Sequence, residues 1–190
     1  KPSTHIAGTV KKANGVLAQL RQTIFSRNKE VVTKLYKVFT RPILESALVA
    51  WYPWERQDIN MLEKVQRRAT KLVPGIGRMD YEDRLKVCDL TTLERRRERG
   101  LMIETYKLLN GFTKMDTSDF FQFMKDRHEL STRSVVNNSL VAEKCRLDVR
   151  KFFFTNIIVE PWNNLPLDVR DADSVNSFKN LYDDWSSQEA

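Results

Sequence analysis

The segment from about Asp58 to Val73 constrains this chain more than any other. Ile59, Leu62, Val65, Ala69, Leu72 and Val73 fall on one side of a wheel drawn at about 100° per residue. Arg56, Lys64, Arg67, Arg68 and Lys71 cluster on the other side, centred about 170° away by the same arithmetic. Only Glu63 intrudes among them. Such a pattern fits an amphipathic helix and no strand. Solvated helix faces usually mix signs, so this one has two readings: a phosphate-binding face, or plain solvated surface.

The neighbouring segments carry the same period. Ile6, Val10, Ala13, Leu17, Leu20 and Ile24 recur at alternating spacings of four and three, a stripe roughly 80° wide that suits a helix-packing seam. This predicts a helix over 7–23, with Lys11, Lys12 and Arg21 off the stripe. Asn28 is placed as the N-cap of a second helix through Val31, Val32, Leu35, Tyr36, Val38 and Phe39. Pro42 should kink or end it, with a buried continuation through Ile43, Leu44, Ala47 and Leu48. Trp51-Tyr52-Pro53-Trp54 reads as an aromatic turn, and Pro74-Gly75-Ile76-Gly77 as a helix stop.

A short helix is predicted over 81–87. A longer one should open at Thr91, in capping-box spacing with Glu94, and close at Gly111. It carries Arg95-Arg96-Arg97-Glu98-Arg99, whose arginines spread around the wheel. Pairing of Glu94 with Arg97 and of Arg95 with Glu98 is expected to neutralise some of that charge internally. After Phe112 the pattern weakens. A short helix is expected around Asp119 to Met124. Val135-Val136, Phe152-Phe153-Phe154 and Ile157-Ile158-Val159 suggest a small hairpin, Trp162 to Pro166 an ordered turn, and Ser174 the cap of a last helix. The fold class is therefore mainly α: a helical bundle followed by a smaller α-rich region with at most a minor β-hairpin.

Charge is distributed unevenly. Residues 1–78 hold 15 Lys/Arg against 5 Asp/Glu, residues 79–114 hold 8 against 7, and residues 115–190 hold 9 against 13. A basic first half points to a phosphate-bearing partner there. Cys88 and Cys145 lie far apart, which favours a reducing, intracellular setting (cytoplasmic or nuclear) over a disulfide framework. With His5 and His128 isolated, no zinc cluster or general base can be nominated, and no cofactor is expected. No apolar run approaches a membrane span. Asp183-Asp184 after Tyr182 sits in a helical pattern with no partner aspartate strand, so it reads as the polar end of an amphipathic helix rather than a metal-binding pair.

The wording of the sequence carries a resemblance. Leu62-Glu63-Lys64-Val65-Gln66-Arg67-Arg68-Ala69-Thr70-Lys71 resembles a stretch near the end of jockey-type non-LTR retrotransposon reverse transcriptases. Tyr81 to Leu85, Leu93 to Gly100, Glu104 to Gly111, Arg150 to Phe153, Trp162 to Pro166 and Ser174 to Lys179 follow in the family's order. Upstream, Lys11 to Asn14 and Leu35-Tyr36 to Glu45 match as well. Two places depart from it: Thr132-Arg133-Ser134-Val135 where relatives have Thr-Arg-Gly-His, and Glu160-Pro161 where an Asn-Leu precedes the Trp.

The resemblance implies a thumb-like helical bundle over 1–78, a continuing helical region over 79–112 and a post-thumb region over 113–190. The parent would be an RNA-directed DNA polymerase whose fingers and palm precede Lys1, so this chain alone is expected to be no enzyme. Its expected partners are RNA or an RNA–DNA duplex and that missing palm, with no membrane. Lys64, Arg67, Arg68 and Lys71 are the first candidates for nucleic-acid contact, followed by Lys11, Lys12, Arg21, Arg95, Arg96, Arg97 and Arg99. The alternative is a helical interaction module, whose first-helix seam and Trp51–Trp54 cluster would bind a protein partner or a second copy.

Overall fold

The computed structural model describes residues 2–25, 28–46, 50–124 and 139–188. Ala47, Leu48, His128, Thr132 to Val135 and Val136 lie outside them. Two compact units result, Lys1–Glu98 and Arg99–Ala190, and the described residues are mainly α.

In the first unit, helix α1 (Pro2–Thr23) starts earlier than its periodicity indicated. Its seam is used: Ile6, Ala13 and Leu17 are buried, and Val10, Leu20 and Ile24 partly so. Asn28 does cap α2 (Lys29–Leu35), its side-chain oxygen accepting the Glu30 amide at 3.0 Å. Pro42 does not end the helix. A π-helical turn, Tyr36–Thr40, intervenes, in which the Arg41 amide reaches back five residues to the Tyr36 carbonyl. The widened turn leaves room for the proline ring near the start of α3 (Arg41–Leu44). It also disturbs the apolar register. Val32 and Tyr36 are buried, whereas Val38 and Phe39 are 54% and 52% exposed.

Helix α4 (Arg56–Thr70) supplies the centre of this unit. Leu62, Val65 and Ala69 pack with Ile6, Ala13, Leu17, Tyr36, Leu44 and Leu93 in one core. The helix ends in tightened turns, and Gly75 takes the left-handed backbone (φ 82°) that a side chain resists. Val73 and Ile76 join Val32 and Cys88 in a smaller cluster. Helix α5 spans Tyr81–Val87, the predicted range.

Helix α6 (Leu93–Leu109) begins one residue later than its capping box implied. The hydroxyl of Thr92, not Thr91, accepts the Arg95 amide at 3.2 Å. Gly111 (φ 68°) closes it: its amide bonds Leu108 and that of Phe112 bonds Lys107, a Schellman arrangement. The division between units falls inside α6, not at 78 and 112. Tyr81, Leu85 and Leu93 are buried in the first unit, which keeps α5 and the start of α6 there.

The second unit is also helical, and the expected strands are not formed among the described residues. The apolar runs lie in or beside short helices, α7 (Asp148–Lys151), α8 (Phe154–Ile157) and α9 (Val159–Asn163). Runs of three apolar residues are too short to display a period, so both readings fitted them. Around Asp119 there is only a 3₁₀ turn, Thr117–Asp119. One antiparallel bridge joins Phe123 to Leu140. On its other side the Asn163 amide clamps Leu140 like a strand, donating to its carbonyl and accepting its N–H, both at 2.9 Å.

After α10 (Leu167–Arg170), Ser174 caps α11 (Val175–Gln188) by accepting the Ser177 amide at 3.1 Å. Phe178 is fully buried, with ring centroids of Tyr106 at 4.4 Å, Tyr182 at 6.0 Å and Trp162 at 6.1 Å. That aromatic stack forms the heart of this unit's core.

Candidate nucleic-acid interface

Helix α4 has three longitudinal zones rather than two. Its apolar stripe faces the core. A second buried stripe is polar and comprises Glu63, Gln66 and Thr70. The remaining arc is exposed and holds Arg56, Lys64, Arg67, Arg68 and Lys71.

The polar stripe explains why the exposed arc carries one sign. Glu63 is 8% exposed and turns inward. Its carboxylate accepts the Tyr81 hydroxyl, the Gln66 side-chain amide at 3.2 Å and the Leu93 backbone N–H at 3.0 Å. The expectation that Glu63 intrudes on the basic face is thereby corrected. A wheel alone treats every carboxylate as solvated, whereas here three donors from α4, α5 and the start of α6 hold it inside.

The edges of the face are fixed by neighbouring helices. Ser3 donates to Asp58 at 2.8 Å and Arg68 donates to Asn14 at 2.9 Å. These two links advance along α1 and α4 in the same direction, so the helices run parallel. At the other edge the Arg67 guanidinium lies 4.1 Å above the Tyr81 ring, a cation–π contact that orients it. Asn14 and Tyr81 are supporting residues the sequence reading passed over, since nothing local marks either as a neighbour of α4.

The eleven candidate cations separate clearly. Lys64 and Lys71 are exposed, beside Arg67 and Arg68. Lys11 and Arg21 are exposed and within about 60° of Asn14 on the α1 wheel, on the edge that meets α4. Lys12 lies about 160° from Asn14 and lines a different groove, with Pro42 and Ile43. Arg95 is exposed on α6. Arg96 is bound to Glu45, Arg97 is buried, and Arg99 grips Asp183 with two bonds of 2.6 and 2.7 Å.

The arginine run is thus dispersed. Glu94, expected to pair with Arg97, instead meets Arg56 at 3.0 Å. Asp183 holds Arg99 and keeps its pKa above the usual arginine value, chiefly through that hydrogen bond. The α1 seam proposed as a protein-binding surface is buried within the first unit, whereas Trp51 is 39% exposed and stacks on His5 at 4.7 Å.

Among the described residues no helix is long and apolar enough to cross a membrane. The fold and this face define a mainly α chain with a basic helix clamped between two others. It matches no protein-family model, no curated protein and no solved structure.

Proposed function

We propose that this chain binds the sugar–phosphate backbone of RNA or of an RNA–DNA duplex, without reading sequence, through the exposed face of α4. The observation that carries the reading is the unbroken row of Lys64, Arg67, Arg68 and Lys71, from which the single nearby carboxylate, Glu63, is withdrawn. Cations on successive turns match the repeated charge of a backbone, and contacts of this kind fix position but carry no sequence information. The order of sequence words similar to jockey-type reverse transcriptases supports the same assignment: a non-catalytic, thumb-like and post-thumb region of an RNA-directed DNA polymerase.

The deciding experiment is electrophoretic titration of duplex and single-stranded RNA and DNA at two salt concentrations. Replacing Arg67, Arg68 and Lys71 together with Gln should weaken binding to all of them about equally. It should also flatten the log K against log salt slope by roughly 0.7–0.9 per lost contact. A folded triple variant with unchanged affinity and slope would show that the face is solvated surface only. The rival reading, a protein-interaction module, then takes precedence, with exposed Val38 and Phe39 as its first surface.

A further inference from the structure

Arg97 is 3% exposed, and neither of its terminal nitrogens has a hydrogen-bond partner. The carboxylates near it are committed elsewhere. Glu45 is held by Arg96 and Arg41, Glu94 by Arg56, and Glu63 by Tyr81, Gln66 and the Leu93 N–H. A buried cation left without a bonded counter-charge is costly, so it favours any anion that binds close by. Burial also lowers the Arg97 pKa, in keeping with that cost.

Two spaces adjoin this side chain. Arg97 lines a closed hollow of about 20 Å³ together with His5, Thr9 and Ser46. The same three residues also border an open groove of about 540 Å³ between α1 and α3, whose wall continues with Thr4, Gly8 and Lys12. The hollow is large enough for one water, and Arg97, Thr9 and Ser46 supply the polar partners such a water needs. The groove offers an ammonium group and three hydroxyls, and Gly8 presents no side chain to fill it.

We propose that the groove between α1 and α3 is an oxyanion site for a phosphoryl group, contacted by Lys12, Thr4, Thr9 and Ser46 and linked to Arg97 through one water in the hollow. Tetrahedral phosphoryl oxygens accept from several donors at once, which suits hydroxyls and an ammonium arranged around one groove. The site is independent of the α4 face, because Lys12 lies on the far side of α1 from Asn14.

The test is thermal unfolding of the full chain in inorganic phosphate against chloride matched for ionic strength. Phosphate at ten times its dissociation constant should raise the midpoint by about 3–6 °C. Arg97→Met should abolish the rise, and Lys12→Met, an exposed change that leaves the core untouched, should reduce it. Failure of wild type to respond to phosphate beyond chloride overturns the proposal, as does a response unaltered in either variant. A 5′-phosphorylated oligoribonucleotide that binds the wild type, but not Arg97→Met, more tightly than its 5′-hydroxyl twin places the phosphoryl group on nucleic acid. Equal binding of the twins, with the response to inorganic phosphate intact, points to a free phosphate ligand.

Discussion

Gln66 shows how much one side chain can organise. It is 0% exposed, accepts the Tyr36 hydroxyl at 2.7 Å, and donates to Tyr81 and to the Thr91 carbonyl, both at 2.9 Å. Replacing it with Leu leaves those groups buried and unsatisfied, and should destabilise the chain by about 2–3 kcal/mol. Combining Gln66→Leu with Tyr36→Phe should cost about 1 kcal/mol less than the two single changes added, because one orphaned hydroxyl disappears. Denaturant titration of the four proteins measures the cycle; strict additivity would rule out the network. The same phenols make an alkaline prediction. Burial, as the leading cause, raises the pKa of both Tyr36 and Tyr81 above the ordinary 10.0. Raised values mean that the stability these groups contribute is complete below pH 10 and is lost as pH climbs through the folded-state values. Unfolding at pH 8 and at pH 11 should show a fall of up to about 1.4 kcal/mol per pH unit per tyrosine. Tyr36→Phe should flatten it. None of this was legible in the sequence, where a glutamine beside two arginines looks like surface. Its burial depends on Tyr36 and Tyr81, which lie 30 and 15 residues away.

At the scale of elements, periodicity revealed what it physically could. Helices long enough to show two turns of pattern, α1, α4 and α6, were read correctly, because their buried faces are what the pattern records. Ends were less legible, since a cap depends on which of two adjacent hydroxyls faces the helix. Thr91 and Thr92 make the point. Thr91→Ala should leave stability within about 0.5 kcal/mol, as an exposed change does. Thr92→Ala removes the acceptor of the Arg95 amide and should cost about 1 kcal/mol. Thermal unfolding of the pair separates the sequence's cap from the structure's, and the reverse order would restore the capping box at Thr91. Asp89 marks a similar limit. It holds a left-handed backbone (φ 49°) at the end of α5, a position usually given to glycine, and the Leu90 amide still closes the turn onto Leu85 at 2.9 Å.

For the whole molecule, the informative quantity is where the charge is free, not how much there is. The unit Lys1–Glu98 carries 20 Lys/Arg against 11 Asp/Glu, and Arg99–Ala190 carries 12 against 14. The sequence showed that asymmetry. It could not show that Arg96 and Arg99 are held by Glu45 and Asp183, partners 51 and 84 residues distant. Two double variants with the same change in net charge exploit this. If the chain binds nucleic acid through general basicity, Lys64→Gln/Lys71→Gln and Arg96→Gln/Arg99→Gln should weaken binding alike. If it binds through the α4 face, only the lysine pair should flatten the salt dependence, by about 1.4–1.8 in log–log slope for two lost contacts. The arginine pair should change affinity less than about twofold, because those charges are already neutralised and any residual effect is screened beyond roughly 10 Å. Fluorescence anisotropy with a fixed RNA duplex from 50 to 200 mM salt distinguishes the two. Equal slopes for both variants would remove the α4 face as the binding surface and leave only net charge to account for binding.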